Sequence, residues 1–175
     1  MSTIRIATLA DAPALAELAA ATFKLACPPQ TTAAAVQEFL RDVLAEKNFL
    51  DYLADSNRLL LVAAVDDTLL GYTLVNFGDP IDPEVNAAVG IRPTAEVSKC
   101  YVRAGSHGGG LAAALMTATL HVAREHGAAG AWLGVNELNA RAIRFYEKQG
   151  FARVGRKTFL LGGVLENDYV LERPL

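Results

Sequence analysis

The sequence lacks the features that mark membrane, metal-binding and disulfide-rich proteins. No apolar run reaches the roughly 20 residues that a bilayer-spanning helix needs, and residues 1–5 show no charged segment followed by an apolar signal core. The two cysteines, Cys27 and Cys100, lie far apart without metal-ligand spacing. We therefore expect no membrane partner, no metal, no disulfide and a cytoplasmic location, with a small hydrophobic role for each thiol.

Basic residues are too scattered to form a nucleic-acid surface. The formal net charge is −3 and the isoelectric point is about 5.6. The 175 residues are 52% hydrophobic and 20% charged, which is typical of a chain that buries one core without a partner. The sequence contains no linker, internal repeat or low-complexity tract. We expect one compact domain over residues 1–175 that binds no nucleic acid.

Apolar periodicity and turn signals alternate along the chain between strands and helices. Strands are predicted at 4–7, 58–65, 69–77, 96–102, 131–135, 152–161 and 167–172. Helices are predicted at 11–23, 32–46 and 111–123 and between Asn139 and Gly150, with a further turn at 48–53. Asp66-Asp67 predicts a hairpin, and the prolines of 78–94 predict a mobile loop. This order indicates a mixed α/β fold on one sheet.

The most informative feature is a strand, a glycine run and a helix in the middle of the chain. The strand at 96–102 leads through Gly108, Gly109 and Gly110 to a helix that begins at Leu111. Glycine has no Cβ, so a ligand can approach the backbone closely, and the first N–H groups of a helix have no intrahelical partner. A helix start of this kind attracts anions. The unit therefore predicts a cradle for a pyrophosphate.

Two phosphate-binding motifs fit this unit poorly. A P-loop requires Lys followed by Ser or Thr after its last glycine, and Leu111 stands there instead. The letters Gly108-x-Gly110-x-x-Ala113 match a dinucleotide fingerprint, but that fingerprint follows its strand directly, whereas residues 103–107 intervene here. No convincing ribose-binding acid follows about 20 residues later. Neither motif explains the cradle.

A third pattern fits better and has independent support downstream. It consists of a cationic or amide side chain, two free positions, a glycine, one free position and then glycine or alanine. In this chain it is His107-x-x-Gly110-x-Ala112, with His107 in place of the usual Arg or Gln. The segment 132–151 adds a short strand and a helix. Its pattern is Asn139-x-x-Ala142-x-x-Phe145-Tyr146-x-x-x-Gly150-Phe151.

Together the two segments resemble the signatures of the GCN5-related N-acetyltransferases, and the resemblance extends over residues 4–175. Within that superfamily it leans toward the PaiA-type bacterial polyamine acetyltransferases. The suggestive features are Thr22-Phe23, Gly71-Tyr72, Asn76, 132–135, 159–162 and 167–169. The resemblance implies a single domain with a central mixed, largely antiparallel sheet, splayed between its central strands and flanked by helices. It implies direct transfer of an acetyl group from acetyl-CoA to a primary amine, such as a polyamine or another small amine.

The resemblance also implies where acetyl-CoA binds. The pantetheine arm would lie in the gap between the strands at 96–102 and 131–135 and pair with backbone groups of the first strand. Amides of the cradle would hold the pyrophosphate, and the helix after 136 would flank the cofactor. The residues implied in cofactor binding are Tyr101, Val102, His107, Gly108, Gly109, Gly110, Leu111, Ala112, Asn139 and Ala142.

Two residues are implied in catalysis. An alkylamine has a pKa near that of lysine, so only about one molecule in a thousand is uncharged at neutral pH, and a general base helps. Glu96 is the candidate, acting directly, through water, or as an anchor for the substrate ammonium. Tyr146 occupies the family position of the acid that reprotonates the thiolate of CoA. The backbone N–H of Val102 would polarise the thioester carbonyl.

Departures from the family pattern affect the cradle. Residues 103–106 lack the usual proline and acid, and Gly109 replaces a basic residue. Three successive glycines lose more backbone entropy when a ligand orders them, so we expect weaker than typical acetyl-CoA affinity.

The acceptor remains open at the level of sequence. Protein N-termini, lysines, aminoglycosides and amino acids are alternatives to a polyamine, and a non-catalytic acyl-CoA sensor is an alternative of another class. For a polyamine, Asp79, Asp82 and Glu84 are candidate recognition carboxylates. The closing hairpin and the apolar first helix offer a surface for a homodimer.

Overall fold

The computed structural model describes residues 2–106 and 109–175, and these form a seven-stranded sheet flanked by helices. The strands are β1 (Thr3–Ile6), β2 (Arg58–Val65), β3 (Thr68–Phe77), β4 (Thr94–Val102), β5 (Gly130–Asn136), β6 (Ala152–Leu161) and β7 (Val164–Pro174). The helices are α1 (Ala12–Ala26), α2 (Ala33–Val43), α3 (Glu46–Ala54), α4 (Pro83–Ala88), α5 (Leu111–Glu125) and α6 (Ala140–Lys148). The strand order is β1-β2-β3-β4-β5-β7-β6.

Strands β4 and β5 form the one parallel pair in the described sheet, and all other neighbours are antiparallel. The parallel pairing is short. It joins Thr94 to Gly130, Ala95 to Ala131 and Glu96 to Trp132, and then the two strands diverge. This confirms the predicted mixed, largely antiparallel sheet that is splayed at its centre.

The hairpin between β2 and β3 confirms the sequence prediction. Asp66 and Asp67 have φ values of +46° and +64°, the left-handed conformations that a tight type I′ turn requires. Asp tolerates this region better than most residues because its side chain can bond locally. The predicted edge strand near Ile4 is β1, which pairs with β2 alone.

Two helical layers cover opposite faces of the sheet. Helices α1, α2 and α3 bury Leu15, Val36 and Phe49, respectively, against β2 and β3. Helix α5 buries Leu115 and Met116 on the other face. Side chains of this size contribute roughly 1.5–3 kcal/mol each when fully buried, so both layers hold the central strands in place. None of the helices in the described ranges is long and apolar enough to cross a membrane.

The helix predicted at 32–46 ends at Val43, and the further turn predicted at 48–53 is part of α3. The Thr32 hydroxyl accepts a 3.1 Å bond from the N–H of Ala35, which confirms the predicted N-cap of α2. Ala45 is extended and begins α3, and the Asn48 side-chain oxygen accepts from its N–H at 3.1 Å. This local bond competes with continuation of the first helix, so the chain turns.

The prediction of a loop without regular structure at 78–94 was wrong. Asp82 caps the short helix α4, and Pro83 occupies its first turn, where a missing N–H costs nothing. Val85 is fully buried and packs with Trp132 and Val170. Pro83, one of the prolines that suggested a mobile loop, therefore lies at the start of a packed helix.

Candidate active site

A cavity of about 660 Å³ opens where β4 and β5 diverge. It is lined by β4, the start of α5, the end of β5 and α6, and also by side chains of α1, α2, β6 and β7. The cavity therefore joins the two faces of the sheet through the gap. Its size is in the range of small-molecule binding sites.

The predicted site residues fall into three groups in the structure. His107 and Gly108 lie outside the described residues. Gly109 is exposed and Leu111 is buried, and neither lines the cavity. The residues that line it are Glu96, Tyr101, Val102, Gly110, Ala112, Asn139, Ala142 and Tyr146.

Beyond Glu96, the backbone groups of β4 that face the gap have no strand partner within the described residues. The N–H of Arg103 donates to Leu70 O at 2.8 Å, so it points toward β3. Because successive residues of a strand point their backbone groups to opposite sides, the N–H of Val102 faces the gap. The same alternation directs the backbone of Tyr101 toward β3, so Tyr101 meets the cavity through its side chain. The free N–H of Val102 is suited to a pantetheine amide or a thioester carbonyl.

A β-bulge in β4 was not predicted. The pairing with β3 skips from Lys99 opposite Leu74 to Val97 opposite Val75, so Ser98 is the extra residue. A bulge bends its strand and increases the local twist. Here it lies just beyond the last paired residue, Glu96, and helps the strand to leave β5. Nothing in the sequence distinguishes this strand from a regular one.

The start of α5 has the geometry of an anion site. Gly110 precedes the helix with φ +77°, a conformation that glycine adopts without strain. Its carbonyl accepts the first helical bond from Ala114 at 2.9 Å, so the N–H groups of Leu111, Ala112 and Ala113 have no intrahelical acceptor. This end of the helix fits the pyrophosphate of acetyl-CoA, and Leu111, whose side chain packs in the core, can offer only its N–H.

Helix α6 places a tyrosine at the gap. Asn139 caps the helix by accepting from the N–H of Ala142 at 3.1 Å, as predicted. Gly150, with φ +88°, follows its C-terminal end, also as predicted. Between these ends, Ala142 and Tyr146 line the cavity.

The Tyr146 hydroxyl lies close to the Cys100 thiol. Burial raises the pKa of Cys100 to about 12 and raises the pKa of Tyr146 well above its usual value. Both groups are therefore protonated at neutral pH. Tyr146 has a proton to donate, and a thiol with a raised pKa is a poor nucleophile.

Glu96 occupies the last paired position before the gap, opposite Trp132. Its Oε2 accepts a 3.0 Å bond from the side-chain amide of Asn76, which orients the carboxylate. Glu96 lines the main cavity and also a smaller one of about 360 Å³ beside it. The position is compatible with each of the roles predicted for it, base or substrate anchor.

The structure adds charged side chains that the sequence reasoning missed. Asn136, Asp168 and Lys157 form one row across β5, β7 and β6. Asp168 and Glu166 are each 8% exposed, and burial raises the pKa of Asp168. Burial lowers the pKa of Lys99, on β4, to about 8. The spacing Glu166-x-Asp168 predicts a shared strand face, but it does not show whether that face is buried.

An aromatic wall faces these charges. Phe23 and Phe39 stack with ring centroids 4.4 Å apart, and Phe159 approaches Phe39 edge-on at 5.9 Å. Tyr101 lies against Phe23 at 6.5 Å. All four rings line the cavity. This part of the site can hold an alkyl chain on one side and a charged group on the other.

The loop carboxylates proposed for polyamine recognition lie elsewhere. Asp79 pairs with Arg92 at 2.9 Å, and Asp82 accepts from backbone N–H groups at the start of α4. Both line the smaller cavity, and Glu84 is exposed on α4. The main cavity is lined instead by the carboxylates of Glu96, Glu166 and Asp168.

Sequence comparison gives the class of protein that this fold and site define. The chain belongs to the acetyltransferase (GNAT) family, whose family model matches residues 19–151. It is 42% identical over 167 residues to an uncharacterized N-acetyltransferase of Mycobacterium tuberculosis (strain ATCC 25618 / H37Rv), covering 95% of this chain and 99% of that protein. An uncharacterized N-acetyltransferase of Lactobacillus delbrueckii subsp. lactis is 27% identical over 138 residues, covering 79% and 77%. The chain is therefore an acyltransferase, and as a member of this family it uses acetyl-CoA as cosubstrate.

Solved structures share the fold over nearly the whole chain. PaiA N-acetyltransferase from Thermoplasma acidophilum, in complex with coenzyme A, superposes with a TM-score of 0.79 at 19% identity, covering 100% of this chain and 99% of that one. The ribosomal-protein-S18-alanine N-acetyltransferase from Escherichia coli gives 0.71 at 19% identity, covering 99% and 94%. At these identities the likeness confirms the predicted fold.

Proposed function

We propose that the protein transfers the acetyl group of acetyl-CoA directly to a primary amine, with a polyamine or another small alkylamine as the acceptor. The observation that carries the proposal is the cavity through the central gap. It connects the anion-binding start of α5 with Tyr146 on one side and with buried carboxylates on the other. An aromatic wall and several carboxylates suit a cationic amine with an alkyl chain.

Three groups act in the proposed reaction. The acceptor ammonium gives a proton to Glu96, directly or through water, and the neutral nitrogen then attacks the thioester carbon. The C–N bond forms, and the N–H of Val102 stabilises the oxyanion that develops on the carbonyl oxygen. The C–S bond breaks, Tyr146 donates its phenolic proton to the departing sulfur, and the acetylated nitrogen gives up its second proton, through water, to the Tyr146 phenolate. Asn139, Ala142 and the start of α5 hold the cosubstrate in line.

Two further predictions concern where the protein is located and whether it forms a homodimer. A reaction that consumes acetyl-CoA suits the predicted cytoplasmic location. A homodimer stays a prediction, and the exposed apolar side chains of Leu160, Val164 and Leu165 at the tip of the β6–β7 hairpin support it.

The proposed function is tested by release of free thiol from acetyl-CoA. The acceptors are spermidine, spermine, short diamines, peptides, amino acids and aminoglycosides, each assayed with the native protein and Tyr146→Phe. We expect turnover with the alkylamines and a fall in kcat of about a hundredfold in the variant, because general acid catalysis contributes on that order. Acetyl-CoA affinity should stay within about twofold.

Tyr169→Phe is the matched control. Tyr169 packs in the same apolar cluster as Tyr146 but does not line the cavity, so its hydroxyl should not affect kcat. Turnover confined to peptides or aminoglycosides would replace the proposed acceptor. Acetyl-CoA binding without turnover of any acceptor would favour the sensor alternative.

A further inference from the structure

Two carboxylates of β7 face the cavity without the partners that buried carboxylates normally have. Glu166 and Asp168 are each 8% exposed and lie on the same strand face. The Glu166 carboxylate accepts one bond, of 3.4 Å, from the side-chain amide of Asn136. The Nζ atom of Lys157 is 4.0 Å from Asp168 Oδ2, too far for a hydrogen bond. Within residues 2–106 and 109–175, neither carboxylate receives a further hydrogen bond.

Two other buried carboxylates of this protein accept several hydrogen bonds and have a structural role. Glu172, also 8% exposed, accepts from the backbone N–H groups of Gly90 and Ile91 at 3.0 and 2.8 Å and so fixes the chain before β4. Asp11, 9% exposed, is bonded by Arg5 and Thr8. Each of these holds two segments together.

Glu166 and Asp168 are equally buried, but their contacts, the 3.4 Å bond from Asn136 and Lys157 at 4.0 Å, come from strands that already pair with β7. Their carboxylates line the cavity and are not sealed in the interior. A largely buried carboxylate is stabilised when an N–H donor binds to it. The two carboxylates are therefore unexplained by the fold and open to the cavity.

The surroundings indicate which donor fits. An alkylammonium has three N–H donors and a positive charge, which match two carboxylates on one strand face. Phe159 lies directly opposite Glu166 on β6, and Phe39 packs against Phe159, so methylene groups attached to the nitrogen would have an apolar surface beside them. Lys157 Nζ, at 4.0 Å from Asp168 Oδ2, is one cation for two carboxylates on this strand face.

We propose that Glu166 and Asp168 form the binding site for an ammonium group of the acceptor, with its alkyl chain on Phe39 and Phe159. The proposal rests on the proposed function, because it names how the same cavity recognises the amine. It replaces the loop carboxylates Asp79, Asp82 and Glu84 as the source of acceptor specificity.

The test measures binding, so that it does not depend on turnover. Calorimetry at pH 7 follows butylamine binding to the protein saturated with CoA, for the native chain, Asp168→Asn and Glu166→Gln. We expect each variant to bind butylamine about ten- to a hundredfold more weakly, which is the usual value of a charge-assisted hydrogen bond. Glu84→Gln removes a charge from α4 and should leave the affinity unchanged.

Thermal unfolding separates recognition from a structural role. Because the Asp168 carboxylate is buried without donors, Asp168→Asn should keep or raise the Tm while it weakens amine binding. A lowered Tm with unchanged butylamine affinity would identify a structural carboxylate and overturn the proposal.

Two further outcomes would also overturn it. One is a native protein that binds CoA but not butylamine, which leaves the acetyltransferase assignment intact. The other is a native protein that binds alanine in place of butylamine and loses that binding in Lys157→Met. This result would mean that Lys157 binds the carboxylate of a ligand. Failure to bind CoA is a separate result, visible in the same titration, and it would count against the proposed function instead.

Discussion

The two sides of the central gap are built in different ways. The cofactor side, formed by β4, the start of α5 and α6, offers backbone N–H groups positioned by helix caps and by glycine. The acceptor side, formed by α1, α2, β6 and β7, offers side chains that converge from distant parts of the chain. Backbone groups recognise a part that is common to every CoA molecule. Side chains can differ between relatives, so we propose that the acceptor side sets specificity.

The sharpest test of the cofactor side is Gly110→Ala. Gly110 has φ +77°, and its left-handed conformation costs other residues about 1–2 kcal/mol. We expect a loss of stability of about 1 kcal/mol and, because a Cβ intrudes at the anion site, about tenfold weaker acetyl-CoA binding by calorimetry. The acceptor KM should change little. For the native protein we expect an affinity weaker than low micromolar, and a tighter value would contradict this.

Gly127→Ala provides the control for that measurement. Gly127 has φ +94° at the opposite end of α5 and open space around it, so the backbone strain is comparable. Its loss of stability should match that of Gly110→Ala, while acetyl-CoA binding stays normal. Equal loss of affinity in both variants would mean that strain, and not the cradle, explains the effect.

On the acceptor side, Gly134→Ala should weaken binding of the amine and leave binding of acetyl-CoA nearly unchanged. A Cβ at Gly134 would be about 3.3 Å from Asp168 Oδ2 and would overlap the Lys157 side chain, so the side chains of Lys157 and Asp168 must shift. We expect the KM of the amine to rise several-fold in steady-state assays, with acetyl-CoA affinity within about twofold. A change in acetyl-CoA affinity alone would break the division between the two sides.

The smallest functional effect is expected at Asp11, which belongs to neither side. Hydrogen bonds from Arg5 and Thr8 hold the pKa of Asp11 at about 2, below its usual value. A lowered acid pKa means that the ionised form stabilises the folded chain above about pH 4, and that this stabilisation is lost as the pH falls toward 2. Asp11→Asn should therefore lower the free energy of unfolding by up to about 2 kcal/mol at pH 7.

Urea unfolding of the native protein and Asp11→Asn at pH 7 and pH 2.5 measures that difference. It should shrink at the lower pH, and both acetyl-CoA affinity and acceptor KM should be normal at pH 7. An equal difference at both pH values would mean that the Arg5 pair is not its source.

Sequence-based predictions were more accurate for features set by neighbouring residues than for features set by distant parts of the chain. The cap at Asn139, the glycine end at Gly150, the turn at Asp66-Asp67 and the helix start at Gly110 were predicted, because each depends on residues close in the chain. The cavity-facing positions of Glu166 and Asp168 were missed. Burial of β7 depends on β5 and on helices from the first third of the chain, and no local pattern reports such contacts.

Two features that were not predicted are also decided by contacts with distant parts of the chain. The segment 78–94 contains both helix-start and helix-breaking residues, and burial of Val85 against Trp132 and Val170 selects the helix. The bulge at Ser98 arises where one strand must pair with β3 and leave β5. In each case tertiary contacts decide between conformations that the local sequence permits about equally.

By itself, the sequence determined most of the strands, the caps at Thr32 and Asn139 and the helix start after Gly110, because capping and chain reversal are governed by neighbouring residues. The acid role of Tyr146 stays a prediction. Only the tertiary structure decided how far β4 and β5 stay paired, which carboxylates are buried, and which of them lack donors. Those properties depend on the packing of segments far apart in the chain, since burial and the pairing of charges are set by the groups that surround a residue in space.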